Sequence, residues 1–116
     1  MKYTILVYES PTDFGARTDD QRKEAYWGAY RSYTRALTEA GVFLGGSGLE
    51  PTPSAATLRQ RDGRRQVQDG PSAESKEQLG GYYVIEAPDM EHDLEWAARC
   101  PAASSGAVEV RPNLRM

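Results

Sequence analysis

Residues 2–8, Lys-Tyr-Thr-Ile-Leu-Val-Tyr, are β-branched, aliphatic or aromatic on both alternating faces, which fits a strand. Tyr3, Ile5 and Val7 fall on one face, and Thr4, Leu6 and Tyr8 on the other. A sheet covered by helices on one side alone would normally alternate apolar with polar residues. Something is therefore expected to cover the second face as well.

The remaining chain reads as a series of alternating elements. After a loop over residues 9–17, Thr18 followed by Gln21 fits a capping box, with Asp19 and Asp20 placed at the positive end of a helix. Tyr26, Tyr30, Tyr33, Leu37 and Ala40 recur at helical spacing, and Gly41 sits where a C-terminal cap belongs. Gly28 inside this helix costs about 1 kcal/mol relative to alanine, which points to close packing there. Residues 42–49 form a short strand with Gly45-Gly46-Ser47-Gly48 at its end, and Pro51 and Pro53 break the pattern. Residues 56–61 and 65–69 flank Asp62-Gly63, a strong hairpin signal. A strand over 82–87 precedes a helix capped by Asp89, with Met90, Leu94, Ala97 and Ala98 on one face and Pro101 closing it. Residues 107–111 make the last strand, with Val108 and Val110 opposite Glu109 and Arg111.

The order is β-α-β, a hairpin, then β-α-β. This predicts an α+β, ferredoxin-like domain over residues 1–116 with an inserted β-hairpin, its two helices on one face of an antiparallel sheet. The bare, partly apolar face predicts a homodimer packed sheet to sheet.

Composition narrows the function. A net charge of -3 offers no clustered basic footprint for nucleic acid. Arg59, Arg61, Arg64 and Arg65 read as the solvated side of the hairpin. One cysteine, Cys100, excludes an internal disulfide and a thiolate metal site. The N-terminal apolar run is too short for a secretory signal, and no segment approaches the ~20 apolar residues of a membrane span. A cytoplasmic protein without metal or other cofactor, membrane or nucleic-acid partner is expected.

The run Asp69-Gly70-Pro71, followed by Glu74-Ser75-Lys76-Glu77-Gln78-Leu79-Gly80-Gly81, leads straight into an apolar strand. It resembles the signature of the YCII-related superfamily, in its DGPF-domain branch. Gly46-Ser47-Gly48-Leu49, the stretch from Leu94 to Pro101 and the stretch from Val108 to Pro112 also resemble that family, in the right order. The resemblance implies a dimeric α+β barrel. Ser72 stands where the branch usually has phenylalanine, which would open a pocket or loosen the loop. Characterised relatives imply a histidine–aspartate pair, as in eliminating halide from an aromatic substrate. The single histidine here, His92, lies among Glu91, Asp93 and Glu95 on what reads as a solvated helical face, so that mechanism does not transfer.

Asp69 is a candidate general base or hydrogen-bond anchor, although the same side chain suits capping the Gly70-Pro71 turn. Lys76 suits an anionic substrate or, when desolvated, amine chemistry; Glu74 and Glu77 equally suit pairing with it. Tyr26, Tyr30 and Tyr33 are candidates to line an aromatic pocket and donate a proton, or simply to pack. Gly45, Gly46 and Gly48 would admit a close ligand, Ser47 and Ser72 offer hydroxyls, and Glu109 and Arg111 offer charges either to a ligand or to each other across a dimer seam. Two functions fit. One is a cofactor-independent lyase or isomerase acting by Asp69 with Tyr30 or Lys76, the ligand held by Tyr26, Ser47, Gly48, Ser72, Glu74 and Arg111. The other is a non-catalytic ligand-binding or regulatory protein, since the branch is associated with sigma factors.

Overall fold

The structure, a computed structural model, describes residues 1–115. Its strands are β1 (Lys2–Glu9), β2 (Phe43–Gly48), β3 (Ala56–Arg61), β4 (Arg64–Asp69), β5 (Gln78–Glu86) and β6 (Ala107–Pro112). Its helices are α1 (Pro11–Gly15), α2 (Lys23–Glu39) and α3 (Met90–Ala98). A four-stranded antiparallel sheet runs in the order β2-β5-β1-β6, and β3 and β4 pair separately. This is the α+β, ferredoxin-like arrangement that the sequence predicts. The thinnest dimension, 19 Å, is what one sheet and one layer of helices occupy.

Alternation along β1 sets the layers. Tyr3, Ile5, Val7 and Glu9 are buried beneath the helices, and Tyr33 and Leu37 of α2 meet the first three in the core. The register pairs Ile5 with Val110, so Val108 and Val110 share that face. Thr4, Leu6 and Tyr8 turn the other way, with Tyr82 and Val84 beside them. Glu109 and Arg111 lie on this second face as well and pair with each other inside β6, at 2.6 Å from Arg111 Nε to Glu109 Oε2.

Several local features depart from the sequence expectation. The loop after β1 contains α1, because the Ser10 hydroxyl accepts the Asp13 amide at 3.2 Å and Pro11 suits a first helical turn. α2 begins later than its presumed box: Asp19, not Thr18, accepts the Gln21 and Arg22 amides at 2.9 and 3.2 Å. β5 begins at Gln78, four residues before the apolar run, and takes in the double glycine. The hairpin turns at Asp62 and Gly63 with φ of 53° and 71°, both in the left-handed region that its two-residue loop demands. It leaves Leu58 and Val67, opposite one another, on an exposed face.

α3 is rotated from its expected face. Asp89 caps it as anticipated, accepting the His92 amide at 2.9 Å. The side buried, however, carries Asp93 and Ala97 with Met90 and Trp96 half-buried, while Leu94 is 53% exposed. Asp93 is fully buried and neither carboxylate oxygen has a hydrogen-bond partner among the described residues. Burial pushes its pKa up to about 6. Its folded-state pKa thus exceeds the unfolded value of 3.8, and its contribution to stability is fullest below that value and is lost as pH rises through about 6. Asp93→Asn is expected to stabilise the fold by on the order of 1–2 kcal/mol at neutral pH. Urea titrations at neutral and mildly acidic pH check this: the gain should shrink on acidification, and a gain equal at both would refute it.

Candidate functional site

Continuing the alternation of β1 by one residue puts a carboxylate on the core face. Glu9 is only 3% exposed, where an ionised side chain needs compensation from several donors. Three side chains supply it. The Tyr26 hydroxyl donates to Glu9 Oε1 at 2.6 Å, the Tyr30 hydroxyl donates to Oε2 at 3.3 Å, and Arg17 Nη2 lies 3.4 Å from Oε1. Helical spacing of four residues on α2 delivers the two phenols to the same carboxylate.

Arg17, from the turn between α1 and α2, ties the cluster to its surroundings. Its Nε donates to the Tyr26 hydroxyl at 3.0 Å, Nη2 to the Gly80 carbonyl at 3.0 Å, and Nη1 to the Leu49 carbonyl. The guanidinium carbon sits 4.4 Å from the centre of the Phe14 ring and 5.6 Å from that of Trp27. Trp27 in turn donates its indole N–H to the Arg17 carbonyl at 3.1 Å.

Gly80 explains how so much polar chemistry fits against a strand. The β1–β5 register passes from Val7 opposite Gly81 to Tyr8 opposite Leu79, leaving Gly80 as the extra residue of a bulge. A Cβ there would stand 2.8 Å from Glu9 Oε1 and 3.1 Å from both Arg17 Nη2 and the Phe14 ring. A Cβ on Gly81 would meet the Ser47 carbonyl at 2.9 Å. The double glycine is therefore a seat for the carboxylate and for the edge strand β2, not the approach to a loop site.

Above the cluster lies a cleft of about 490 Å³. Tyr26, Trp27, Tyr30, Phe43 and Tyr83 give it aromatic walls; Ser47, Gly48, Gly80 and Gly81 line the strand side, and Arg31, Thr34 and Arg35 the helix side. Burial raises the pKa values of Tyr26 and Tyr30 well above the ordinary phenol range, with the Glu9 carboxylate adding to each, so both stay protonated. Tyr83, whose hydroxyl is 3.2 Å from that of Thr34, is raised by burial too. Cys100, buried in the core, has its thiol pushed up to about 11, which keeps it inert. Among the described residues no three His, Cys, Asp or Glu side chains gather as a metal site.

Of the residues singled out from sequence, Tyr26, Tyr30, Gly46, Ser47 and Gly48 line this cleft. Tyr33, Gly45, Asp69, Ser72, Glu74, Lys76, Glu109 and Arg111 do not; the Tyr33 hydroxyl donates instead to the Trp96 carbonyl at 2.9 Å in the core. Asp69 ends a hairpin that, among the described residues, forms a two-stranded sheet of its own, apart from the four-stranded sheet that carries Glu9; its side chain is exposed, as are Ser72, Glu74 and Lys76. Lys76 has no ion pair among the described residues, and the expected pairing with Glu74 or Glu77 is absent. Arg111 stands opposite Thr4, on the reverse face of the sheet from Glu9. His92 is exposed beside Asp89, its ring Nδ1 2.7 Å from Oδ1, and that hydrogen bond raises the imidazole pKa. The dyad lies outside the cleft. Glu9 and Arg17 are the residues that sequence reasoning missed; the period-two pattern Tyr3, Ile5, Val7, Glu9 was the signal for the first.

A family model, the YCII-related domain, matches residues 1–116. The chain belongs to the YCII family. An uncharacterised protein of Rhizobium meliloti (strain 1021) is 39% identical over 97% of this chain and 91% of its own length. Among solved structures, this YCII protein is similar to the 5-chloro-2-hydroxyhydroquinone dehydrochlorinase of Burkholderia phenoliruptrix AC1100, in complex with 2,5-dihydroxybenzoquinone. The TM-score is 0.57 and the identity 16%, across 100% of this chain and 96% of that one, which shows a shared fold.

The Glu9–Arg17 pair yields a direct prediction for this YCII protein. Arg17→Leu strands a buried carboxylate and should cost about 3 kcal/mol of stability, whereas adding Glu9→Gln to it should restore much of the loss. Urea unfolding of the two single variants and the double variant measures the coupling, and additive effects would contradict it.

Proposed function

We propose that this YCII protein binds a small single-ring ligand in the Glu9 cleft and moves a proton on it without a cofactor, as a lyase or isomerase does. The observation that carries the reading is the unequal tethering of the Glu9 carboxylate. Oε1 is fixed by Tyr26 and Arg17, the former at 2.6 Å. Among the described residues, Oε2 is held by Tyr30 alone, through the longer 3.3 Å contact.

A ligand oxygen entering the cleft can therefore take the single Tyr30 hydroxyl hydrogen bond for itself. Oε2 is then left with a lone pair directed at the ligand and accepts its proton, while the Tyr30 phenol, still protonated, stabilises the oxyanion that develops. Tyr26 and Arg17 keep the carboxylate from turning away. The volume and aromatic walls suit one ring. The dehydrochlorinase of similar fold, which acts on a hydroxylated aromatic ring, supports the choice of substrate class.

The same proposal includes a cytoplasmic homodimer, for which the uncovered Leu6, Tyr8, Tyr82 and Val84 provide an apolar surface. A second reading, a binding or sigma-factor-associated protein, is favoured by one observation: three donors already compensate Glu9, as a purely structural anchor would require.

Exchange of the ring protons of 2,5-dihydroxybenzoquinone in deuterated water, followed by NMR, separates the two. In this exchange a solvent deuteron adds to a ring carbon, and Glu9 then removes the proton from that tetrahedral carbon as the oxyanion re-forms. The wild-type protein should accelerate exchange. Glu9→Gln should slow it by about 100-fold or more, and Tyr30→Phe by about 10-fold or more, with the compound still bound. Binding with no acceleration by the wild type would favour the non-catalytic reading.

A further inference from the structure

The helix side of the cleft carries two cations that have no partner among the described residues. Arg31 and Arg35 sit one turn apart on α2, both line the cleft, and both are exposed. Neither makes an ion pair or a side-chain hydrogen bond among the described residues, whereas Arg17 is fully engaged with Glu9, Tyr26, Leu49 and Gly80. The lining therefore holds three guanidinium groups against one carboxylate, on a chain whose net charge is -3. Glu24, which shares an outer depression with Arg31, does not reach it as an ion pair. A local surplus of positive charge in a concave, aromatic-walled site attracts and retains anions against the field of the whole protein.

We propose that the ligand of the cleft is a planar ring bearing a carboxylate, seated with its ring among Tyr26, Tyr30, Phe43 and Tyr83 and its acidic group at the rim on Arg31 and Arg35. The orientation follows from charge. Glu9 on the floor disfavours an acidic group there, while the paired guanidinium groups at the mouth offer it planar, forked donors. Aromatic walls take the flat apolar part, and only the rim remains for the charge. Proton transfer at Oε2 of Glu9 then occurs on the ring, away from the carboxylate. This rests on the reading of the cleft as the ligand site and adds to it the class of ligand.

The test compares two probes of the same shape and different charge, 2-hydroxybenzoate and 2-hydroxybenzamide, by titration calorimetry on the wild-type protein and on Arg31→Gln/Arg35→Gln. The wild type should bind the carboxylate about tenfold more tightly than the amide. Raising salt from roughly 50 mM to roughly 500 mM should narrow the gap. The double variant, shown to be folded by its circular dichroism and melting temperature, should bring the two affinities within about twofold of each other. Should it fail to fold, Arg35→Gln alone and the salt series on the wild type carry the same comparison. Equal affinities in the wild type, or a preference that survives loss of the arginines, would overturn the carboxylate assignment and leave the cleft itself as the site. Binding of neither probe would overturn the cleft reading, and this inference with it.

Discussion

A carboxylate buried at the end of a core strand governs much of this structure. Glu9 occupies the position that the alternation of β1 would reserve for another Ile or Val, at 3% exposure. Burying an ion there is tolerable only when charge and hydrogen bonds replace its water. Arg17, Tyr26 and Tyr30 meet that need, and each requirement then propagates. Arg17 must leave the α1–α2 turn at the angle that reaches Oε1, so its guanidinium is clamped between Phe14 and the carbonyls of Leu49 and Gly80. The phenols must sit four residues apart on one helix face, which fixes the rotation of α2 over the sheet.

The sheet yields to the same constraint. β5 bulges at Gly80 because any side chain there would collide with Glu9 Oε1, Arg17 and Phe14. Bulges beside functional sites re-aim the chain where regular pairing would leave no room. The neighbouring Gly46 allows β2 to lie against Tyr82 and Tyr83, where a Cβ would come within 2.5 Å of the Tyr82 carbonyl. The result is a cleft whose floor is polar and rigid and whose walls are aromatic. This is a setting in which a proton can move with little reorganisation.

The fold was legible in the sequence because its strands and helices follow their periods. The hairpin turn, the α2 stripe and the split of Val108 and Val110 from Glu109 and Arg111 all follow from local spacing. Where local rules compete with burial, the reading fails. Asp93 is buried and Leu94 is exposed, a rotation of one residue that an apolar count cannot foresee. The site was half legible. Tyr26, Tyr30, Ser47 and Gly48 carry a visible signal in the helical stripe and the glycine-rich strand, whereas the Asp69–Gly70–Pro71 turn follows a hairpin that forms its own two-stranded sheet. Glu9 was hidden because a glutamate after an apolar run looks like the end of a strand. Arg17 was hidden because its partners are 8, 32 and 63 residues away in sequence.

Where a ligand binds decides the matter most directly. A crystal structure of this protein soaked with 2,5-dihydroxybenzoquinone should show the ring between Tyr30 and Phe43, with one of its oxygens hydrogen-bonded to the Tyr30 hydroxyl and facing Glu9 Oε2. Density for the compound beside Asp69 and Lys76 instead, with the Glu9 cleft empty, would contradict the account.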